Sequence, residues 1–294
     1  MPDIAFWNKC NSNCIMCTNM DSFINQDSAQ YGLKEQIKKF ESYLLRGGTY
    51  LKNPEDDSFL NLTGGEPTLH PNFFKLIVYF RRRVPLARIV LLTNGRKFSS
   101  LTFTKKFMSV AKPPFEIACA LHGSTPAKHD AVTRVKGSFK QALKGIENIL
   151  KLSKGQKLEI RIVLIKQNIN DFENILKLFL KKFPDTSKYR IIIIHYEIEG
   201  MSLLNHEKIS LSLKESSGII NKSFKFIGKF KDFRLYHFPL CLLTARLRKY
   251  AWITLPMEDR IYKKECRRCS ERKNCLGLMK TYYEYFGDDE IHAL

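Results

Sequence analysis

From Ile4 to about Ile198, short β-branched runs alternate with longer stretches whose apolar residues recur every three or four positions. Strands buried on both faces read as near-continuous apolar runs. Helices packed on one side show the three-and-four spacing, so the rhythm predicts successive βα units around a parallel sheet. Six strands are expected, at Ile4 to Trp7, Phe59 to Leu62, Arg88 to Leu92, Phe115 to Leu121, Leu158 to Ile165 and Tyr189 to Ile198. Between them, Phe139, Leu143, Ile146, Ile149 and Leu150, then Phe172, Ile175, Leu176 and Phe179, place one apolar stripe toward the sheet. Six units fall short of a closed eight-fold barrel, so the expected fold class is α/β with an open partial (β/α)6 barrel.

The pattern changes after Gly200. A polar connection runs through Asn205 and Glu207, a helix is expected from Leu213 to Phe230, and a cysteine-bearing tail begins at Cys241. The expected division is therefore a barrel over 1–200, a connecting segment over 201–240 and a small cysteine-rich domain over 241–294. At 294 residues, with 44% apolar content, the chain has enough core for that arrangement. No internal repeat beyond the βα rhythm and no low-complexity tract interrupts it.

No stretch approaches the roughly eighteen uninterrupted apolar residues of a membrane span, and Met1 to Trp7 lacks the features of a signal peptide. A cytoplasmic protein without membrane partners is expected. In that setting eight cysteines stay reduced, and tight clusters of them point to metal or redox roles. The formal charge of +20 would attract RNA, an acidic peptide or another anionic surface at long range, and does not choose among them.

Chemistry in parallel α/β folds gathers at the C-terminal ends of the strands. Cys10, Cys14 and Cys17 follow the first expected strand, Gly64-Gly65-Glu66 the second, Thr93-Asn94-Gly95 the third and His122-Gly123-Ser124 the fourth. Three thiolates can each hold a different iron of a cubane cluster, and with no fourth ligand nearby one iron stays open. An open metal position lets a small molecule bind the metal directly, as catalytic sites require. A zinc site would need a fourth His or Cys, which this stretch does not supply. Lys9 beside Cys10 suits the ionisation of the thiols.

The Cys-x3-Cys-x2-Cys pattern, with Gly64-Gly65-Glu66-Pro67 and Thr93-Asn94-Gly95 at matching distances, resembles the signature of the radical S-adenosylmethionine (radical SAM) enzymes. The resemblance implies a [4Fe-4S] cluster on Cys10, Cys14 and Cys17 whose open iron is chelated by S-adenosylmethionine. An electron from a donor such as flavodoxin or ferredoxin then cleaves the sulfonium to methionine and a 5′-deoxyadenosyl radical. It also implies that Gly64, Gly65 and Glu66 bind the cofactor's amino group, Asn94 its ribose and Arg134 its carboxylate. Guanidinium suits that last role because it meets carboxylate bidentately. Met16 stands where the family often carries an aromatic near adenine, and His122 is expected to line the pocket. Cys119, inside the fourth strand, reads as a small buried hydrophobe, with hydrogen-atom donor as its alternative role.

In the tail, Cys241, Cys266, Cys269 and Cys275 suit a closed four-thiolate site, which serves zinc or a fully ligated cluster equally well. The surrounding His237-Phe238-Pro239-Leu240-Cys241-Leu242, Tyr262, Arg272 and Gly277 resemble the C-terminal region of the His-Xaa-Ser system radical SAM maturases, related to the SPASM and twitch auxiliary-cluster domains. This resemblance implies a second [4Fe-4S] cluster and a substrate residue in a ribosomally made precursor peptide, altered by crosslinking, epimerisation or ring closure. The rival expectations are a radical SAM enzyme acting on RNA and a non-catalytic zinc-binding nucleic-acid module.

Overall fold

A computed structural model of the protein describes residues 3–19, 27–46, 51 and 59–294. They fall into two compact units. Met1–Asn13, Asn19–Leu121 and Val135–Ile160 form the first, and Cys14–Thr18, His122–Arg134 and Arg161–Leu294 form the second. The main sheet contains β1 (Asp3–Trp7), β2 (Phe59–Gly64), β3 (Arg88–Thr93), β4 (Phe115–Ala120), β5 (Lys157–Leu164), β6 (Tyr189–His195), β7 (Phe233–Tyr236) and β8 (Ala251–Trp252), and its strand order is the order of the chain. The longer helices are α1 (Leu33–Arg46), α2 (Phe73–Arg83), α3 (Leu101–Val110), α4 (Pro126–Thr133), α5 (Ser138–Leu152), α6 (Phe172–Lys182), α7 (Leu213–Lys222) and α8 (Lys280–Phe286).

In the first unit β1 to β4 pair in parallel, with Ile4 opposite Leu62, Leu60 opposite Ile89 and Leu91 opposite Ile117. β3 and β4 are buried along most of their length: Ile89, Val90 and Leu91 of β3 and Phe115 to Cys119 of β4, Glu116 among them. Phe6 of β1 meets Phe73 and Phe80 of α2 edge-on, with ring centroids 5.8 and 6.1 Å apart, a geometry that adds to plain area burial. Arg81, near the end of α2, is buried, and its guanidinium donates to the carbonyls of Val84, Pro85, Ala87 and Pro114 at 2.8 to 3.2 Å. One cation thus pins the turns that lead into both β3 and β4.

In the second unit β6 pairs in parallel with β7 and β7 with β8, with Ile191 opposite Phe233 and Leu235 opposite Ala251. β9 (Arg260–Ile261) and β10 (Leu278–Met279) form a separate antiparallel ribbon. The six expected strands and the parallel α/β class are all present. Two expectations change. The sheet continues past the sixth strand, so the segment expected only to connect carries β7, and the tail carries β8. The helix expected over Leu213 to Phe230 stops at Lys222, after a start fixed by a capping box between Ser212 and Glu215. A one-turn helix follows from Phe224 to Ile227, because the Ser223 hydroxyl bonds back to the Ile219 carbonyl at 2.8 Å and loosens the turn.

Candidate active site

In the first unit the C-terminal ends of β1, β2 and β3 carry Cys10, Gly64 to Glu66 and Asn94. Gly64 has φ +114°, and a Cβ there would lie 2.4 Å from the Trp7 carbonyl oxygen, so only glycine lets β2 end this close to β1. The next two amides continue that contact: Gly65 N–H donates to the Trp7 carbonyl at 2.6 Å and Glu66 N–H to that of Lys9 at 2.8 Å.

Glu66 is buried, and its carboxylate gathers four donors. Oε1 accepts from the Thr68 N–H (3.2 Å), the Thr68 hydroxyl (2.5 Å) and the Thr93 hydroxyl (2.7 Å); Oε2 accepts from the Asn94 N–H (2.7 Å). Burial raises its pKa above the usual carboxylate value, against the pull of those hydrogen bonds. Among the described residues no Lys or Arg pairs with it. Oε2 keeps room for one more donor.

Asn94, expected at the ribose, is engaged at both ends of its side-chain amide. Nδ2 donates to Asn11 Oδ1 at 2.7 Å and lies 3.9 Å from the Cys10 sulfur, while Oδ1 accepts from the Arg96 N–H at 3.0 Å. Arg96, which the sequence reading passed over although it adjoins the Thr-Asn-Gly motif, donates to the Asn11 carbonyl. Together they tether the stretch that bears Cys10. Cys119 is fully buried behind Gly95, and burial pushes its thiol pKa up.

Cys14 and Cys17 belong to the second unit, where their stretch is tied down by main-chain and side-chain bonds. The Ile15 N–H donates to the Val132 carbonyl (2.9 Å), the Met201 N–H to that of Cys17 (2.7 Å), the Ser202 hydroxyl to that of Met16 (2.8 Å) and the Asn205 amide to that of Ile15 (3.1 Å). Met16 itself is buried. Gly200 makes the approach possible: it has φ +55°, and a Cβ there would lie 2.4 Å from the Thr18 oxygen and 2.9 Å from that of Cys17. Gly200 and Asn205 mark a change of pattern in the sequence, but their contact with a distant stretch of chain, like that of Ser202, leaves no local signal.

Arg134 caps α4 in the left-handed conformation, with φ +56°. Its guanidinium is exposed, donates to Asn205 Oδ1 at 3.1 Å and pairs with no carboxylate among the described residues. It is therefore available to an incoming one. His122, expected to line a pocket, is buried instead. Its Nδ1 accepts from the Val163 N–H at 3.3 Å, its ring stacks on His129 at 5.9 Å, and burial, then the neighbouring imidazole, pushes its pKa down to about 3. It is a neutral packing residue of the turn after β4.

The four tail cysteines line one cavity, together with Tyr262 and Arg272. Among the described residues no three His, Cys, Asp or Glu side chains converge as ligands of a single metal ion would. A cubane makes a different demand, taking each thiolate on a different iron. Also among the described residues, no helix is long and apolar enough to cross a membrane.

A family model described as the radical SAM superfamily matches residues 4–179, more than half of the chain. Among curated proteins, the GTP 3′,8-cyclase of Petrotoga mobilis (strain DSM 10674 / SJ95) is 25% identical over 240 residues, covering 79% of this chain and 68% of that protein. Among solved structures, native anSMEcpe with bound AdoMet superposes with a TM-score of 0.57 at 19% identity, covering 79% of this chain and 63% of that one. Coproporphyrinogen III oxidase (HemN) from Escherichia coli, a radical SAM enzyme, gives 0.54 at 15% identity, covering 78% and 51%. The chain spans less than two thirds of either structure's length. These likenesses show the fold, the partial α/β barrel of radical SAM type.

Proposed function

The chain belongs to the radical SAM superfamily, and from that premise we propose that it modifies a residue of a ribosomally made precursor peptide, using S-adenosylmethionine at a [4Fe-4S] cluster held by Cys10, Cys14 and Cys17. When bound, cluster and nucleotide would supply one-electron cleavage of the sulfonium and hydrogen-atom abstraction from the substrate, with the electron coming from a donor such as flavodoxin or ferredoxin.

The chain's own residues suit that pair of groups. Three thiols in eight residues, without a fourth, leave one iron for the nucleotide. Glu66 is a buried carboxylate with no cation of its own and one acceptor position left, so an ammonium group would both satisfy and ionise it. Arg134 holds an exposed guanidinium, bonded to Asn205, that can take a carboxylate. Asn94 and Arg96 act on the Cys10 stretch, and Gly200, Ser202 and Asn205 on the Cys14 to Thr18 stretch, as positioning residues.

What supports the peptide reading is the tail: Cys241, Cys266, Cys269 and Cys275 line one cavity and suit an auxiliary cluster, as the tail's resemblance to the SPASM and twitch domains implies. The net charge of +20 would also suit a second reading, an enzyme acting on RNA, through phosphate contacts.

Anaerobic reconstitution with iron and sulfide counts, followed by assay of 5′-deoxyadenosine with precursor peptide, tRNA or GTP, tests all of this. About eight irons per chain and peptide-dependent turnover are expected, since each cubane carries about four. Turnover stimulated only by tRNA or only by GTP would overturn the peptide reading, and zinc in the tail would remove the second cluster.

A further inference from the structure

Residues 216–231 hold four lysines and no acid, and the fold gathers part of that charge around one aromatic ring. After α7 ends at Lys222, the one-turn helix from Phe224 to Ile227 is closed by the Phe226 N–H donating to the Ser223 carbonyl at 2.9 Å. The Lys229 N–H donates to the Phe226 carbonyl at 3.1 Å, and the Thr186 hydroxyl holds the Lys229 carbonyl at 3.2 Å. Phe226 is half-buried there, and three ammonium groups stand over its ring: Lys177 of α6 and Lys225 at 5.0 Å from the centroid, and Lys229 at 6.0 Å. Beside it the Arg246 guanidinium covers Phe224 at 4.7 Å. Asn221 fixes that neighbour to the end of α7, donating to the Leu242 carbonyl at 2.9 Å and accepting from the Thr244 N–H at 3.0 Å.

A ring face attracts a cation, but cations drawn to one ring repel each other. Lys177, Lys225, Lys229 and Arg246 are all exposed. Glu173 is the acid beside them; it lies 3.8 Å from Lys177 and accepts from the Ser223 hydroxyl at 3.2 Å, so it offsets one of the four charges. A ligand carrying several negative charges would relieve the rest. Single-stranded RNA is held largely by bases stacked on open aromatic faces, whereas both rings here already carry cations. In an extended peptide, side chains two residues apart point the same way at a spacing of about 7 Å, so the carboxylates of one short acidic run can reach the three ammonium groups together.

We propose that the patch around Phe226 is the docking surface for an acidic segment of the peptide substrate. The proposal rests on the peptide reading above and adds to it the charge of the segment and the place where it docks.

Binding to the anaerobically reconstituted full chain is read by fluorescence anisotropy, with a labelled octaglutamate peptide and a single-stranded RNA of equal charge as the probes. Lys225→Glu combined with Lys229→Glu should weaken peptide binding roughly tenfold. Phe226→Leu keeps the apolar bulk and every charge but removes the ring face, so a loss of about two- to fivefold is expected. Lys34→Glu combined with Lys38→Glu, on exposed positions of α1, makes the same charge change at the same spacing and should stay within about twofold of the parent. Iron content equal to the parent's checks that each variant folds. Equal weakening by the α1 pair would reduce the effect to general attraction by the +20 chain and overturn the patch. Tighter binding of the RNA, lost in the Lys225 and Lys229 variant, would overturn the acidic-peptide assignment. Both results leave the peptide reading to its own measurement, 5′-deoxyadenosine formed with precursor peptide. Octaglutamate bound at the patch without any peptide-dependent 5′-deoxyadenosine would sink that reading, and with it the patch's role in holding substrate.

Discussion

The backbone N–H of Asn94 donates to Oε2 of Glu66 over 2.7 Å, tying the end of β3 to the end of β2 through a buried carboxylate. That bond makes Glu66 structural as well as available to a ligand, and the two roles separate on substitution. Glu66→Gln keeps the shape but turns an N–H2 toward groups that are themselves donors. A loss of about 1–3 kcal/mol in stability is expected, visible in urea unfolding. Weaker binding of S-adenosylmethionine, by roughly ten- to a hundredfold, should accompany it, since a charge-assisted bond is lost. Because the carboxyl's pKa lies above 4.5, affinity should rise with pH above that value as the carboxylate ionises. Unchanged affinity in the glutamine variant, at any pH, would remove Glu66 from the binding site.

Gly200→Ala puts a methyl group 2.4 Å from the Thr18 oxygen in a backbone conformation that alanine rarely adopts. Neither the carbonyl nor its chain can swing away cheaply, so the Cys14 to Thr18 stretch must shift, at a cost of about 1–3 kcal/mol. Iron uptake on reconstitution should drop with it. Gly218→Ala is the control, since it lies inside α7 with nothing within 4 Å of the added methyl, and a gain of about 0.5–1 kcal/mol is expected there. Full iron content in Gly200→Ala would show that the close approach does not position Cys17.

Arg134→Ala and Arg134→Lys distinguish a bidentate carboxylate ligand from a general positive charge. The alanine variant should weaken S-adenosylmethionine binding by roughly ten- to a hundredfold, and lysine should recover only part of the loss, because a point charge cannot make two parallel bonds. The bond to Asn205 is exposed, so folding stability should barely change. Full recovery by lysine would point to long-range attraction alone.

How much of this was legible in the sequence depends on whether the signal was local. β3 and β4 announce themselves, since Ile89 to Leu92 is an unbroken apolar run and Phe115 to Cys119 is interrupted only by Glu116. β7 does not: Phe233-Arg234-Leu235-Tyr236 alternates over only four residues, too few to separate a strand from a turn of amphipathic helix, and β8 has two. The motif residues after β1, β2 and β3 could be placed because βα rhythm fixes which strand end each follows. Their partners could not. Asn94 offers the same amide to a ribose as to Asn11, and His122 looks like a rim residue until Val163 and His129 close around it.

Two buried histidines give the protein an acid sensitivity of its own. His122 and His195 are both held neutral, with pKa values pushed down to about 3, by burial first and then by the neighbouring rings of His129 and His237. A histidine depressed in the folded state takes up its proton only on unfolding, so stability is lost as pH falls from 6.5 toward 3. At pH 5 the unfolded chain has gained most of both protons and the folded chain almost none, which costs roughly 2 kcal/mol per residue. Glu66 opposes the trend, because its raised value holds stability at low pH. For Asp171 burial raises the pKa, but bonds from Lys128 and Ser124 carry it below 3.8, so its own contribution is lost only as pH falls from about 3.8 downward, below the pH 5 comparison. Urea unfolding at pH 7 and pH 5 should therefore show a clear drop, and His122→Gln, whose amide oxygen can still accept from the Val163 N–H, should shrink that drop by about one histidine's worth. Equal acid sensitivity in the variant would mean that His122 is protonated in the folded protein, and with it the neutral, close-packed turn after β4 would have to be given up.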